Sequence, residues 1–179
     1  MNWKKWITIG WMGCVLLSGC AVQSQLPEGG RQKDSYESTS FAMDTVMTFH
    51  IIHPDGEKLL IDAEQEVKRL EKLFSVTQED SEIQNINDHA GTEAVSVSAD
   101  TLALLQAGKQ LGQATHNTFD IAIYPIVKAW GFTESNHAVP TQETLNELLP
   151  LTKAEDITID RDASTVYLEQ EGMAVDLGG

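Results

Sequence analysis

The sequence predicts an α+β fold: a single domain of mixed sheet with flanking helices, truncated after a strand-to-helix turn. Three observations carry that prediction. Apolar residues recur at three and four places through residues 57–74 and 99–114, the period of amphipathic helices. Residues 39–52, Ile157-Thr158-Ile159 and Val166-Tyr167-Leu168 alternate or are rich in β-branched side chains, as strands are. Last, Met173-Ala174-Val175-Asp176 reads as a strand running into Leu177-Gly178-Gly179, the opening of a strand-to-helix connection whose helix does not follow.

The chain begins with a segment outside that fold. Lys4 and Lys5 form a basic front, residues 7–17 a short apolar core, and Leu17-Ser18-Gly19-Cys20 closes it. The core is shorter than the ~20 residues a membrane-spanning helix needs, so residues 1–19 read as a secretory signal peptide. Small residues before Cys20 resemble a bacterial lipobox, which makes Cys20 the lipidated new N-terminus. The expected location is the cell membrane, lipid-anchored on the extracytoplasmic face, or the periplasmic side if the source is Gram-negative. Cys14 lies in the discarded segment, so the mature chain has no free thiol and no disulfide, although its compartment would permit one. Residues 20–40 are polar with Pro and Gly and read as anchor and tether, leaving 41–179 for the domain.

Within the domain, residues 39–52 read as one strand with Phe41, Met43, Thr45, Met47 and Phe49 on one face and Asp44 among the residues of the other. His53-Pro54-Asp55-Gly56 is a turn. The helix after it places Leu59, Ala63, Val67, Leu70 and Phe74 inward, with Glu64, Lys68, Glu71 and Lys72 on a solvated face. Asp80 or Ser81 caps a short helix, and Val95 and Val97 suggest a brief strand. Ser98 caps the helix 99–114, whose inward residues are Leu102, Leu105 and Leu111. Pro140-Thr141 opens another helix, and Asp160-Arg161-Asp162 joins two strands as a hairpin.

Residues 115–132 form the stretch around which the rest is organised. Thr115, Asn117, Thr118 and Asp120 lead into an apolar run that contains Pro125 and ends on Trp130-Gly131-Phe132. A helix can start at Pro125 but not run through it. Thr118 and Asp120 therefore lie in a loop before a helix N-terminus, where free N–H groups favour an anion. Two readings stand together there: an ordinary capped helix, or a ligand-binding loop.

Charge narrows the partners. The chain has 12 Lys and Arg against 27 Asp and Glu. Removing Lys4 and Lys5 leaves ten, a net charge of −17. Such a chain repels nucleic acid. With no Gly-rich phosphate loop and no cluster of Lys and Arg, a phosphorylated ligand would need helix ends or a divalent cation for positive charge.

Several motifs, in order, resemble those of the ApbE family of bacterial FAD:protein FMN transferases. They are the lipobox at Cys20, Met43-Asp44-Thr45-Val46-Met47, Phe74-Ser75, Asp80-Ser81-Glu82-Ile83 with Asn87, Asn117-Thr118-Phe119-Asp120 with Pro125, Trp130-Gly131-Phe132, and Asp176-Leu177-Gly178-Gly179. The resemblance implies that 41–179 is the N-terminal part of a flavin transferase domain. It implies FAD as substrate, Mg²⁺ as cofactor, transfer of the FMN moiety to a Ser or Thr of an acceptor protein, and release of AMP. By position it assigns Met43, Thr77, Thr118, Phe119, Asp120 and Asp176 to FAD and Gly179 to the metal, and it leaves the catalytic residue unknown. Two departures stand out: Asp44 replaces a common Gly, and Thr77 stands where many members carry Tyr. The family's later metal ligands and a His near the acceptor hydroxyl have no match in this chain, which alone is therefore expected to be inactive; His50, His53, His89, His116 and His137 read as surface or turn residues. The alternatives are a lipid-anchored protein that binds or hydrolyses FAD, or a non-catalytic solute-binding lipoprotein.

Overall fold

The chain enters its described structure, residues 34–133 and 136–177 of a computed structural model, through a β-hairpin. Cys20 and Gly179, the expected lipid and metal positions, lie outside the described residues. β1 (Ser35–Ala42) begins inside the stretch read as tether and pairs antiparallel with β2 (Thr45–Ile52), Ala42 opposite Thr45 and Ser35 opposite Ile52. The single strand expected over 39–52 is therefore two. Met43 and Asp44 form the turn between them, both left-handed at φ 50° and 55°, as a two-residue hairpin loop that matches strand twist requires.

The turn also reassigns the faces. Ser40 lies opposite Met47 and Ser38 opposite Phe49 on the less exposed side, whereas Phe41 faces Val46 on the outside, and both are exposed. Thr45, Met47 and Phe49 keep the predicted face; Phe41 does not share it, and Met43 lies in the turn. α1 (Gly56–Phe74) follows and packs on the hairpin. Gly56 is required at its start, because a Cβ there would lie 2.2 Å from the ring of Tyr36. Leu60 is buried where the spacing favoured Leu59, which is exposed. Two carboxylates predicted to face solvent hold the hairpin instead. Glu64 accepts a hydrogen bond from the Ser38 hydroxyl, and Glu71 Oε1 accepts the Met43 N–H at 2.6 Å. A left-handed turn leaves that N–H without a ladder partner, and a carboxylate satisfies it.

α2 (Glu82–Asp88) and α3 (Ala99–Ala114) start at the predicted caps, Ser81 accepting the Gln84 N–H at 2.9 Å and Ser98 the Thr101 N–H. The α3 face turned inward is Thr101, Leu105, Gly108 and Gly112, not Leu111, which is exposed. The loop after α3 lies directly against this stripe. A Cβ on Gly108 would meet Ile121 Cγ2 at 2.7 Å, and one on Gly112 the Phe119 carbonyl at 3.1 Å. Close approach of that loop needs the glycines, and it turns Leu111 outward.

The second sheet is antiparallel in the order β3–β5–β4, from β3 (Val95–Ser96), β4 (Ile157–Asp160) and β5 (Thr165–Leu168). Central β5 pairs Val166 with Val95 on one side and with Ile159 on the other. Ile83 and Ile86 of α2, Leu105 of α3 and Leu168 of β5 form a core with Met173 and Val175. Between α3 and β4 lie α4 (Tyr124–Ala129), with Pro125 at its second position, and α5 (Gln142–Leu148), capped by Thr141. Among the described residues, the third strand expected over Met173–Asp176 joins neither sheet. That segment is held by a side chain, Asn87, rather than by a neighbouring strand. The molecule is α+β as predicted, with its strands in two small antiparallel sheets.

Candidate functional site

Where α1 ends, the chain turns sharply and forms a wall. Ser75 leaves the helix in an extended conformation. Its hydroxyl oxygen accepts the N–H groups of Thr77 and Gln78 at 3.1 and 3.2 Å, and its carbonyl accepts the buried Ser81 hydroxyl. The wall thus hangs from the cap of α2. A cleft of about 300 Å³ opens on one side of it, between the hairpin turn (Met43, Asp44), the end of α1 (Glu71, Phe74) and Asp176-Leu177. A larger one, about 560 Å³, opens against Tyr124, Pro125 and Lys128 of α4, Asn87 of α2 and Met173-Ala174. Val76, Thr77 and Thr133 line both. Each volume lies in the roughly 300–1,000 Å³ range of small-molecule sites.

Three of the residues assigned to FAD, Met43, Thr77 and Asp176, meet in the smaller cleft although they are distant in sequence. Thr118, Phe119 and Asp120 line neither cleft. Thr118 is exposed, and Phe119 is half-buried against the core. Asp120 Oδ1 accepts the Ala122 N–H at 2.8 Å. Its carboxylate therefore closes a turn before α4, whose own N-cap, Ile123, makes no side-chain cap. The loop still reaches the cleft residues through the backbone, since the Asp176 N–H donates to the Ile121 carbonyl at 2.8 Å.

Asp44, Glu71 and Asp176 give the smaller cleft a strongly acidic wall, while Lys128 brings a cation to the larger. Lys128 and Tyr124 were not singled out from the sequence. A lone lysine inside the apolar run 121–132 is the signal that could have drawn attention. None of the five histidines lines either cleft.

The apolar and hydroxyl-bearing lining suits a flavin nucleotide: Val76, Tyr124, Pro125 and Met173 offer surface for a ring system, and Thr77, Thr133 and Lys128 offer polar groups. Magnesium is different. Among the described residues, no three His, Cys, Asp or Glu converge as a cation site. An ion bound at the clefts would need ligands beyond them.

A sequence model of the ApbE family matches residues 43–179. Curated relatives include an FAD:protein FMN transferase of Klebsiella pneumoniae, 32% identical over 127 residues, covering 71% of this chain and 40% of that protein. Another, of Treponema pallidum, is 27% identical over 180 residues, covering 95% of this chain and 48% of the relative. The chain thus spans less than half the length of these relatives. Among solved structures, the ApbE protein of Thermotoga maritima matches with a TM-score of 0.74 at 29% identity, over 80% of this chain and 47% of that one. The flavin transferase ApbE of Vibrio cholerae matches at 0.72 and 26%, over 80% and 48%.

Proposed function

The chain belongs to the ApbE family, and from that premise we propose that it serves Mg²⁺-dependent transfer of FMN from FAD to an acceptor protein. The observation that carries the reading is the convergence of Met43, Thr77 and Asp176 on one cleft, from the hairpin turn, the end of α1 and the last described segment.

In this reading an acceptor Ser or Thr oxygen bonds to the FMN phosphorus, the bridging P–O bond to the AMP phosphate breaks, and AMP leaves while the hydroxyl proton passes to a base or to water. A metal ion would supply charge neutralisation on the pyrophosphate. This chain's own contribution is to bind and orient. The pair of clefts on either side of Thr77 and Thr133 offers separate places for the two halves of a dinucleotide, with the acidic wall on one side and Lys128 on the other. Thr77 stands where an aromatic ring would stack, so a flavin in this cleft has no ring contact from that position, and the Thr77 hydroxyl is paired with that of Ser75 at 3.1 Å. Cys20 completes the proposal as the lipid attachment that keeps the site on the extracytoplasmic face of the membrane, where it meets FAD and its acceptor protein.

The test is direct. The chain is incubated with FAD, Mg²⁺ and a Thr-containing acceptor peptide, alone and with the remaining part of a longer relative added. Added FMN mass on the peptide, with AMP in solution, is the expected result for the complemented protein. Free FMN and AMP without a labelled peptide would establish hydrolysis instead. No flavin binding under any condition would overturn the reading.

A further inference from the structure

We propose that Asn87 is the positioning residue that holds Asp176 in the cleft; this rests on the flavin-transferase reading for its consequence, but not for its geometry. Asn87 sits on the last turn of α2, 88 residues before the backbone it grips. Its carboxamide uses both ends on one residue. Nδ2 donates to the Val175 carbonyl at 3.0 Å, and Oδ1 accepts the Val175 N–H at 2.7 Å. That is the donor-and-acceptor pairing one strand offers its neighbour, supplied by a side chain to a segment outside both sheets.

The next backbone group is fixed as well, since the Asp176 N–H reaches the Ile121 carbonyl. Val175 is fully buried in the core. In an extended segment successive side chains point to opposite sides, so seating Val175 inward sends Asp176 the other way, into the smaller cleft. The same short helix holds the facing wall at its other end, where Ser81 donates to the Ser75 carbonyl. α2 therefore spaces the two walls, and Asn87 sets the one that carries the carboxylate.

Satisfying a buried backbone is a duty any amide could perform, so the experiment must separate that from positioning. Asn87→Leu removes both hydrogen bonds; Asn87→Asp keeps the shape and the acceptor but turns an oxygen toward the Val175 carbonyl. The first arm is amide hydrogen exchange on the full chain. Exchange at Val175 and Asp176 should rise about tenfold or more in Asn87→Leu, with Leu105 within about twofold of the original. No rise at 175–176, or an equal rise through the α3 core, would overturn the proposal.

The second arm is FAD titration followed by flavin fluorescence. Asn87→Asp should weaken binding about tenfold when Asp176 is present and by less than about twofold in an Asp176→Ala background, because the two residues act in series. Equal losses in both backgrounds would mean that Asn87 does not act through Asp176. If the unaltered chain binds no FAD, it is the flavin reading that fails, and the exchange arm alone then decides whether Asn87 holds this segment.

Discussion

Replacing Asp44 with glycine should stabilise the protein, although it deletes a side chain. Asp44 and Met43 both sit at left-handed φ, 55° and 50°. An L-residue pays about 1–2 kcal/mol there, with Asp at the low end because its short polar side chain tolerates the region. Glycine removes that cost but brings more freedom to the unfolded chain, which returns roughly 0.4–1 kcal/mol. Asp44 also shares the smaller cleft with Glu71, whose carboxylate already receives the Met43 N–H, so losing its charge helps in the same direction. The backbone effects leave a net gain of up to about 0.6 kcal/mol, to which the lost charge adds, and 1 kcal/mol corresponds to about 2–4 °C in melting temperature for a chain of this size. Thermal denaturation in low and high salt, with Asp44→Asn beside Asp44→Gly, separates backbone from charge. A fall in melting temperature for Asp44→Gly, or a gain that salt abolishes and Asn reproduces in full, would refute the backbone argument.

The remaining predictions concern the ion pair between helices and the anchor. Arg69 makes two hydrogen bonds to Glu66 at 2.8 and 2.9 Å and one to Asp100 at 2.8 Å, tying α1 to α3. Its hydrogen bonds hold the Glu66 carboxyl below the ordinary value of 4.5. A depressed carboxyl adds stability that is complete above the unfolded pKa and lost as pH falls through the folded one. Arg69→Gln should therefore lower the melting temperature more at about pH 6 than at about pH 3; a difference that does not shrink in acid would show that the pair contributes nothing. Cys20→Ser should leave the protein unprocessed or move it out of the membrane fraction, because the lipid chains that would hold it are missing. Unchanged processing and fractionation would refute lipidation at Cys20.

Local chemistry was readable in the sequence, and long-range chemistry was not. Ser81 and Ser98 announce their helices because a cap acts within three residues, and the hairpin of β4 and β5 follows from two β-branched runs around an Asp-rich turn. The hairpin of β1 and β2 was hidden because its turn is Met-Asp rather than the usual Asn-Gly. Leu111 was placed inward by periodicity, but the neighbour of α3 is a loop that needs Gly108 and Gly112 to come close, and glycine carries no hydrophobic signal. The candidate site shows the same division. Met43, Thr77 and Asp176 could be named only through the family resemblance, while their meeting in one cleft rests on contacts between segments far apart in sequence. Asp120 was read as a helix cap or a ligand contact, whereas its carboxylate takes the Ala122 N–H and closes a turn; the nearby backbone link from Asp176 to Ile121 was not legible, since no side chain takes part in it.

The position of β5 at the centre of its sheet has a consequence for the order in which the chain acquires structure. β1, β2 and α1 are neighbours in sequence, so their contacts close only short loops. β3 has to wait. Its partner, Val166 beside Val95, lies about seventy residues further along the chain, and β4 also pairs with β5. Until β5 pairs, Ile83, Ile86 and Leu105 have no sheet to bury them. Closing so long a loop is slow, and the apolar surface left open meanwhile invites association. In refolding, residues 82–168 would therefore acquire their sheet in one concerted step, with β5 as the strand that closes it.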